Sequence, residues 1–253
     1  MADSRDIWER FPVLKDIPED KFPKHIFITP DGNGRWAQMK KLPRNMGHAK
    51  GAEVVEALLR DMSQISAIRY VTIWGFSSDN WKRSLEEVNG LMDIIKKSIQ
   101  KTADEVKSRG SRFMHIGRKD RFSPDLVEVI EKLEEETKHN TNQTIVLAID
   151  YGGEDQLRRM IDKARKLDPS IETTPELIVS LRDGNGELPP ADLMIRTSGE
   201  KRTSDVGWLN NAGTELYFLE KLFPDCGIED IVEAIVSFSK RDRRLGKESG
   251  LVA

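Results

Sequence analysis

The chain has 253 residues, a formal net charge of −3, 38% hydrophobic and 33% charged residues, a composition that suits a soluble globular protein with one large domain and a substantial core. A weakly acidic chain lacks the strongly basic footprint of a nucleic-acid scaffold, and a single cysteine, Cys226, excludes an intramolecular disulfide framework and suits a reducing cytoplasm. No apolar run approaches the roughly 18–20 residues of a transmembrane helix, and Met1 to Lys24 mixes Asp3, Arg5, Asp6, Glu9 and Arg10 with prolines, without a signal-peptide core.

In chain order, residues 1–24 form an N-terminal arm that Trp8, Phe11 and Leu14 either pin to the domain or leave disordered. His25 to Thr29, short, apolar and bounded by prolines, predicts a buried first strand. Ala49 to Ser66 places Val54, Val55, Leu58, Leu59, Met62 and Ile65 at helical spacing. Tyr70 to Phe76 reads as a second strand, Ser84 to Arg109 as a long helix, Arg112 to Ile116 as a strand, and Leu126 to Thr137 as a helix introduced by Pro124. Gln143 to Tyr151 is the clearest buried strand. Glu154 to Leu167 and Pro175 to Arg182 are helical, Leu193 to Thr197 and Glu215 to Leu219 are strands, and Ile228 to Arg244 closes the chain as an amphipathic helix with a basic end that suits the helix dipole. Strands alternating with helices predict a single α/β domain around a mostly parallel central sheet.

Parallel α/β sheets bind ligands beyond the carboxyl ends of their strands, and the distinctive polar residues fall there. Asp31-Gly32-Asn33-Gly34-Arg35-Trp36 follows the first strand, with Pro43-Arg44 and Gly47-His48 behind it. Two glycines around an asparagine permit a tight turn close to a ligand. An acid opens this loop and an arginine closes it, so a metal ligand and a phosphate fork fall within five residues. That pattern reads as a diphosphate-and-magnesium site at a strand-to-helix turn. The second strand leads to Phe76-Ser77-Ser78-Asp79-Asn80-Trp81-Lys82-Arg83, the Gln143–Tyr151 strand to Gly152-Gly153, and the Leu193 strand to Arg196, Arg202, Thr203 and Ser204. Four loops on one edge would gather Arg35, Arg44, Arg83, Arg196 and Arg202, and arginine forks match phosphate oxygens bidentately.

Taken singly, each arginine is an ordinary surface ion pair, Trp36 and Trp81 are packing residues, His48 is a helix-start histidine and Asp31 a helix cap. A second Asp-Gly-Asn-Gly, Asp183 to Gly186, is followed by Glu187 and Pro189-Pro190 and reads as a surface turn. Neither copy matches a calcium loop or the phosphate-binding Gly-x-x-x-x-Gly-Lys-Ser/Thr pattern. Only the combination at the strand ends argues for a site.

These blocks, with Tyr151-Gly152-Gly153, Arg196-Thr-Ser-Gly-Glu200 and Glu215-Leu-Tyr-Phe218, resemble the cis-prenyltransferases, the undecaprenyl diphosphate synthase-like proteins, in residues, order and spacing from about His25 to Gly246. The resemblance implies a homodimeric enzyme with a hydrophobic tunnel that uses Mg²⁺ to join isopentenyl diphosphate to an allylic diphosphate (farnesyl, geranyl or dimethylallyl), forming Z double bonds. It places the catalytic domain at 25–246 and a tail at 247–253. A cytoplasmic location follows, with loose membrane association through the lipid product.

Carried over by position, the resemblance gives Asp31 the metal and the departing allylic diphosphate, and Glu215 the completion of the metal site. Gly32, Asn33, Gly34, Arg35, Trp36, Arg44 and His48 cradle that diphosphate. Asn80 assists catalysis, by positioning more than by proton abstraction, because an amide is a poor base. Phe76, Ser77, Ser78, Asp79, Trp81 and Arg83 shape the region between the substrates, and Arg196, Arg202, Thr203 and Ser204 bind isopentenyl diphosphate.

Departures from the family pattern are Pro30, Trp74, Gly75, Asp150, Glu154 and, most of all, Asp205 to Gly213. That last segment leaves irregular coupling of two short allylic diphosphates as an alternative. A non-catalytic partner subunit is disfavoured by the intact Asp31, Asn33, Arg35 and Trp36.

Overall fold

A computed structural model describes residues 6–206 and 213–243. Six strands form one parallel sheet in the order β3-β4-β2-β1-β5-β6: β1 His25–Thr29, β2 Tyr70–Ser77, β3 Arg112–Ile116, β4 Thr144–Tyr151, β5 Leu193–Arg196 and β6 Glu215–Phe218. All five residues of β1 are buried, as a central parallel strand covered on both faces requires. Ile26 pairs with Val71 on one side and Leu193 on the other. The chain builds β2, β4 and β3 to one side of β1, then returns to β5 on the other. The carboxyl ends of β2, β1 and β5 therefore meet where the winding changes direction, the place at which open α/β sheets bind ligands.

Eight α-helices surround the sheet in the described residues: α1 Ile7–Arg10, α2 Asn33–Met39, α3 Arg44–Met62, α4 Leu85–Ser108, α5 Pro124–Thr137, α6 Gly153–Ala164, α7 Pro175–Leu181 and α8 Ile228–Ser239. The N-terminal arm is packed down. Ile7 and Leu14 are fully buried, the Ile7 N–H donates to Gln64 Oε1 at 2.9 Å, and Arg10 pairs with Asp61 at 3.1 Å. Ser84 caps α4, accepting from the Glu87 N–H at 3.3 Å.

Three expectations are corrected. Helix α3 starts at Arg44, not Ala49, because its first turn faces the polar site and shows no apolar periodicity. Helix α8 ends at Ser239 with Lys240 as its cap residue, not at Arg244; beyond it Arg241 pairs with Glu215 at 2.8 Å and Arg243 with Asp192 at 2.9 Å. Asp183 is no simple surface turn. It is buried, forms a two-pronged ion pair with Arg159, and accepts from the Gly117 N–H at 3.1 Å.

Candidate active site

Two cavities meet at the carboxyl edge of the sheet. The polar one, about 380 Å³, is walled by the β1–α2 turn, the start of α3, the β2 end and the residues after β5. The other, about 130 Å³, runs between α3, α4 and the sheet, lined by Val55, Leu59, Leu91, Ile95, Ile99 and Leu147 among others. Pro30, Asn33, His48, Gly75 and Leu91 border both, so the two spaces are neighbours that share a wall.

The β1–α2 turn depends on a glycine at Gly32. Gly32 has φ +100°, and a Cβ there would come within 2.9 Å of Ser198 Cβ and Leu222 Cδ2, a conformation and a closeness that only glycine accepts. Gly34 lies inside α2, where the Arg44 guanidinium rests against it: a Cβ there would come within 2.7 Å and move that side chain. The first-turn N–H groups of α2 have no helical acceptor and border the polar cavity.

Asp31 Oδ1 accepts from the Gly32 N–H at 2.7 Å and Oδ2 from Arg196 Nη2 at 3.0 Å. Arg35 reaches Ser198 and Glu200, the latter at 3.2 Å. The buried Arg196 also donates to Ser204 Oγ at 2.7 Å and to the Arg202 carbonyl at 2.6 Å, while its Nε has no partner. Asn80 Oδ1 accepts from the Ser77 N–H at 3.1 Å, closing a capping box on the 3-10 turn Ser78–Lys82. Asn80 also lines the polar cavity.

His48 is mostly buried. Burial, reinforced by Arg83 and Arg44, pushes its imidazole down to about 4 against the pull of Glu87. It is therefore neutral at neutral pH. Its Nε2 has no hydrogen-bond partner and stands 3.6 Å from Glu87 Oε1, too far for a bond. Such an orphan on a cavity wall fits a ligand oxygen.

Glu87, absent from the residues singled out by sequence, is the hub of this wall. Its Oε1 accepts from Arg83 at 2.9 Å and from Arg44 at 3.4 Å. Burial works against its ionisation, but Arg83 and Arg44 hold its carboxyl below the usual range. The Arg83–Glu87 spacing of one helical turn was the available signal.

Asp31, Gly32, Asn33, Gly34, Arg35, Arg44 and His48 line the polar cavity, as do Ser77, Asp79, Asn80, Arg83, Arg196 and Ser204. The other expected residues lie elsewhere. The Trp36 Nε1–H donates to Asp225 at 2.7 Å, on the outside of α2. Phe76 is core, edge-on to Trp81 with ring centroids 5.3 Å apart, and Trp81 is covered by the Arg121 guanidinium at 5.1 Å. Ser78 packs against Gly152. The Arg202 side chain pairs with Glu200, and Thr203 is exposed.

Glu215 does not join Asp31 within one chain. It starts β6 in register with Leu193 and hence with Ile26, three residues before the Thr29 end of β1, or about 10 Å along the sheet. Its carboxylate pairs with Arg241. Of the divergent segment 205–213, residues 207–212 lie outside the described ones, as does the tail. Asp205 caps α6, accepting from the Glu154 N–H at 3.0 Å.

Among the described residues no group of three or more His, Cys, Asp or Glu side chains converges. A metal here would be held by the single carboxylate of Asp31 together with oxygens of a bound diphosphate. That donor set fits Mg²⁺, which is commonly bound by one or two carboxylates plus substrate phosphates.

The fold is a parallel α/β sheet whose carboxyl edge carries an arginine-walled polar cavity beside an apolar one. The family model described as putative undecaprenyl diphosphate synthase matches residues 29–246. An isoprenyl transferase of Aquifex pyrophilus is 42% identical over 227 residues, covering 90% of this chain and 97% of that protein. The structure of lavandulyl diphosphate synthase from Lavandula x intermedia in complex with dimethylallyl diphosphate superposes with a TM-score of 0.84 at 30% identity, over 88% of this chain and 98% of the other. A probable undecaprenyl diphosphate synthase from Campylobacter jejuni gives 0.74 at 25% identity, over 89% and 99%. The chain belongs to the undecaprenyl diphosphate synthase family and is a prenyltransferase.

Proposed function

We propose that this enzyme condenses isopentenyl diphosphate with an allylic prenyl diphosphate, with Mg²⁺, to give a Z-configured prenyl diphosphate, and that it acts as a homodimer. The observation that carries the reading is that the arginine-walled cavity holding Asp31 adjoins the apolar one between α3 and α4, with five lining residues in common. The first takes diphosphate heads and the second a growing hydrocarbon.

In this reading the first-turn N–H groups of α2, with Arg35 and Arg44, bind the allylic diphosphate, and neutral His48 donates one N–H to it. Asp31 with diphosphate oxygens would hold Mg²⁺, which when bound offsets the charge growing on the departing diphosphate. Arg196 and Ser204 bind the diphosphate of isopentenyl diphosphate. Asn80 donates through its NH₂ and orients the ligand. An amide is too weak a base to keep the proton released on coupling, so that proton goes to a diphosphate oxygen. The apolar cavity excludes water, which strengthens each of these fixed donors toward developing charge.

The test is incubation of the purified chain with labelled isopentenyl diphosphate and geranyl or farnesyl diphosphate, with product geometry read by NMR. Label in a Z-configured product is expected and should vanish with chelator. No incorporation into any primer would overturn elongation, and a coupled product from dimethylallyl diphosphate alone would replace it with irregular coupling.

A further inference from the structure

The 3-10 turn Ser78–Lys82 between β2 and α4 sets Asp79 and Asn80 on the wall of the polar cavity, with Ser77 and Arg83 at its two ends. Trp81 instead packs against the core cluster that contains Phe76, Val88 and Leu91. The turn has few anchors of its own. A capping box closes it at Ser77, and its Lys82–Asp79 pair at 2.7 Å joins two exposed side chains, a kind of pair that contributes little. The register of β2 on β4 shifts on both sides of Phe76, just before the turn. The Arg83 N–H donates to the Asn80 carbonyl at 3.1 Å, so the two cavity residues are tied to each other across Trp81.

Trp81 is therefore the turn's hold on the core. Its indole N–H, although buried, has no hydrogen-bond partner. Ring contacts orient it instead: Phe76 edge-on at 5.3 Å, and the Arg121 guanidinium 5.1 Å from the ring centre. A guanidinium over an indole face is attracted by the ring quadrupole, and here Asp150 keeps it in place. Arg121 Nε donates to Asp150 Oδ2 at 2.7 Å and Nη2 donates to Oδ1, a charge-assisted fork. A carboxylate offers that fork two oxygens where an amide would offer one. Asp150 is fully buried near the end of β4, in the left-handed conformation at φ +52°. The segment that brings Arg121 is fastened to the same strand end, because the Arg118 N–H donates to the Asp150 carbonyl at 3.1 Å.

We infer that Arg121 is a positioning residue for prenyl transfer: held by Asp150, its guanidinium fixes the Trp81 ring and so the turn that sets Asn80 and Arg83 on the cavity wall. Arg121 itself does not line that cavity. The inference rests on the proposed function in that Asn80 and Arg83 meet the substrates there. In that reading α2, Arg35 and Arg44 bind the allylic diphosphate. Loosening the turn therefore acts on the joining of the substrates and not on capture of the first.

The tests use the full-length protein well below its unfolding midpoint. The double variant Arg121→Ala with Asp150→Asn removes the guanidinium without leaving a buried charge unpaired, and asparagine tolerates the left-handed backbone. In this variant, free of substrate, amide hydrogen exchange over 78–83 should quicken about tenfold while β1 and β5 keep their wild-type rates. Its kcat for isopentenyl transfer should fall about tenfold, with the KM of the allylic diphosphate within about twofold of wild type. Adding the same two changes to Trp81→Leu should cost little further kcat, as action through that ring requires. The inference is overturned by exchange over 78–83 that stays at the wild-type rate or quickens equally throughout the sheet. Unchanged kcat, or a full tenfold loss on top of Trp81→Leu, overturns it as well. Exchange needs no substrate: a turn that loosens in a chain unable to transfer isopentenyl diphosphate would fault the proposed reaction, and a turn that does not loosen would fault the inference.

Discussion

Arg196 donates to the Asp31 carboxylate across 3.0 Å with one terminal nitrogen and to Ser204 Oγ across 2.7 Å with the other. Asp31 follows β1 and Arg196 ends β5, adjacent parallel strands in which Thr29 and Arg196 are register partners. One buried guanidinium therefore joins the side chains proposed for the allylic and the isopentenyl halves of the site. The two halves are one electrostatic unit.

Asp31→Ala should lower prenyl-transfer turnover by about 10²–10³, measured with labelled isopentenyl diphosphate. Arg196→Gln should lose turnover on a similar scale, because it frees the carboxylate and the Ser204 hydroxyl together. Because the residues act as a unit, the double variant should be little worse than the worse single one. Near-native turnover in Asp31→Ala would contradict the assignment.

The sheet was legible in the sequence because a parallel strand buried on both faces reads as a short apolar run; His25 to Thr29 is such a run, and it forms β1 with every residue buried. That the polar loops after β1, β2 and β5 meet at one edge was legible from the parallel topology. What escaped the sequence is long-range. Glu87 reads as one more acid on a charged helix until folding brings Arg44 to it, 43 positions away. Asp183 looks like a turn acid until Arg159 and the Gly117 N–H converge on it.

Gly47 and Gly51 let α3 touch the β1–α2 turn. A Cβ on Gly47 would lie 2.1 Å from the Asn33 carbonyl oxygen, and one on Gly51 would lie 2.2 Å from Asn33 Oδ1. The first collision is with backbone and the second with a side chain that can rotate. Gly47→Ala should therefore cost about 1–3 kcal/mol of stability in urea titration and most of the activity. Gly51→Ala should cost less stability while altering the KM for the allylic diphosphate. Equal destabilisation by the two would contradict this packing.

Asp150 is fully buried with φ +52° and is held by both arms of Arg121, whose guanidinium also covers Trp81. Arg121→Ala leaves that carboxylate unpaired and should destabilise the fold by about 3–5 kcal/mol. Adding Asp150→Asn removes the stranded charge, so the double variant should regain part of the loss. A double variant no more stable than Arg121→Ala would show that the ion pair is not the cause.

Three histidines are buried in neutral form. Burial pushes His25, His48 and His115 each down to about 4 from an ordinary 6.5. His25 Nε2 is bonded to Thr72 Oγ1 at 2.7 Å and His115 Nε2 to the Ile149 carbonyl at 3.1 Å. Between pH 6.5 and 4 the unfolded chain takes up protons at these positions and the folded chain does not. Folding stability is therefore full above pH 6.5 and falls as the pH drops through this window, by up to roughly 3 kcal/mol for each histidine. The urea midpoint should fall steadily from pH 7 to pH 4.5, and His25→Gln should flatten part of that slope while lowering stability at pH 7, where the imidazole bonds are intact. A midpoint that stays constant across the window would mean that these imidazoles titrate normally in the folded protein.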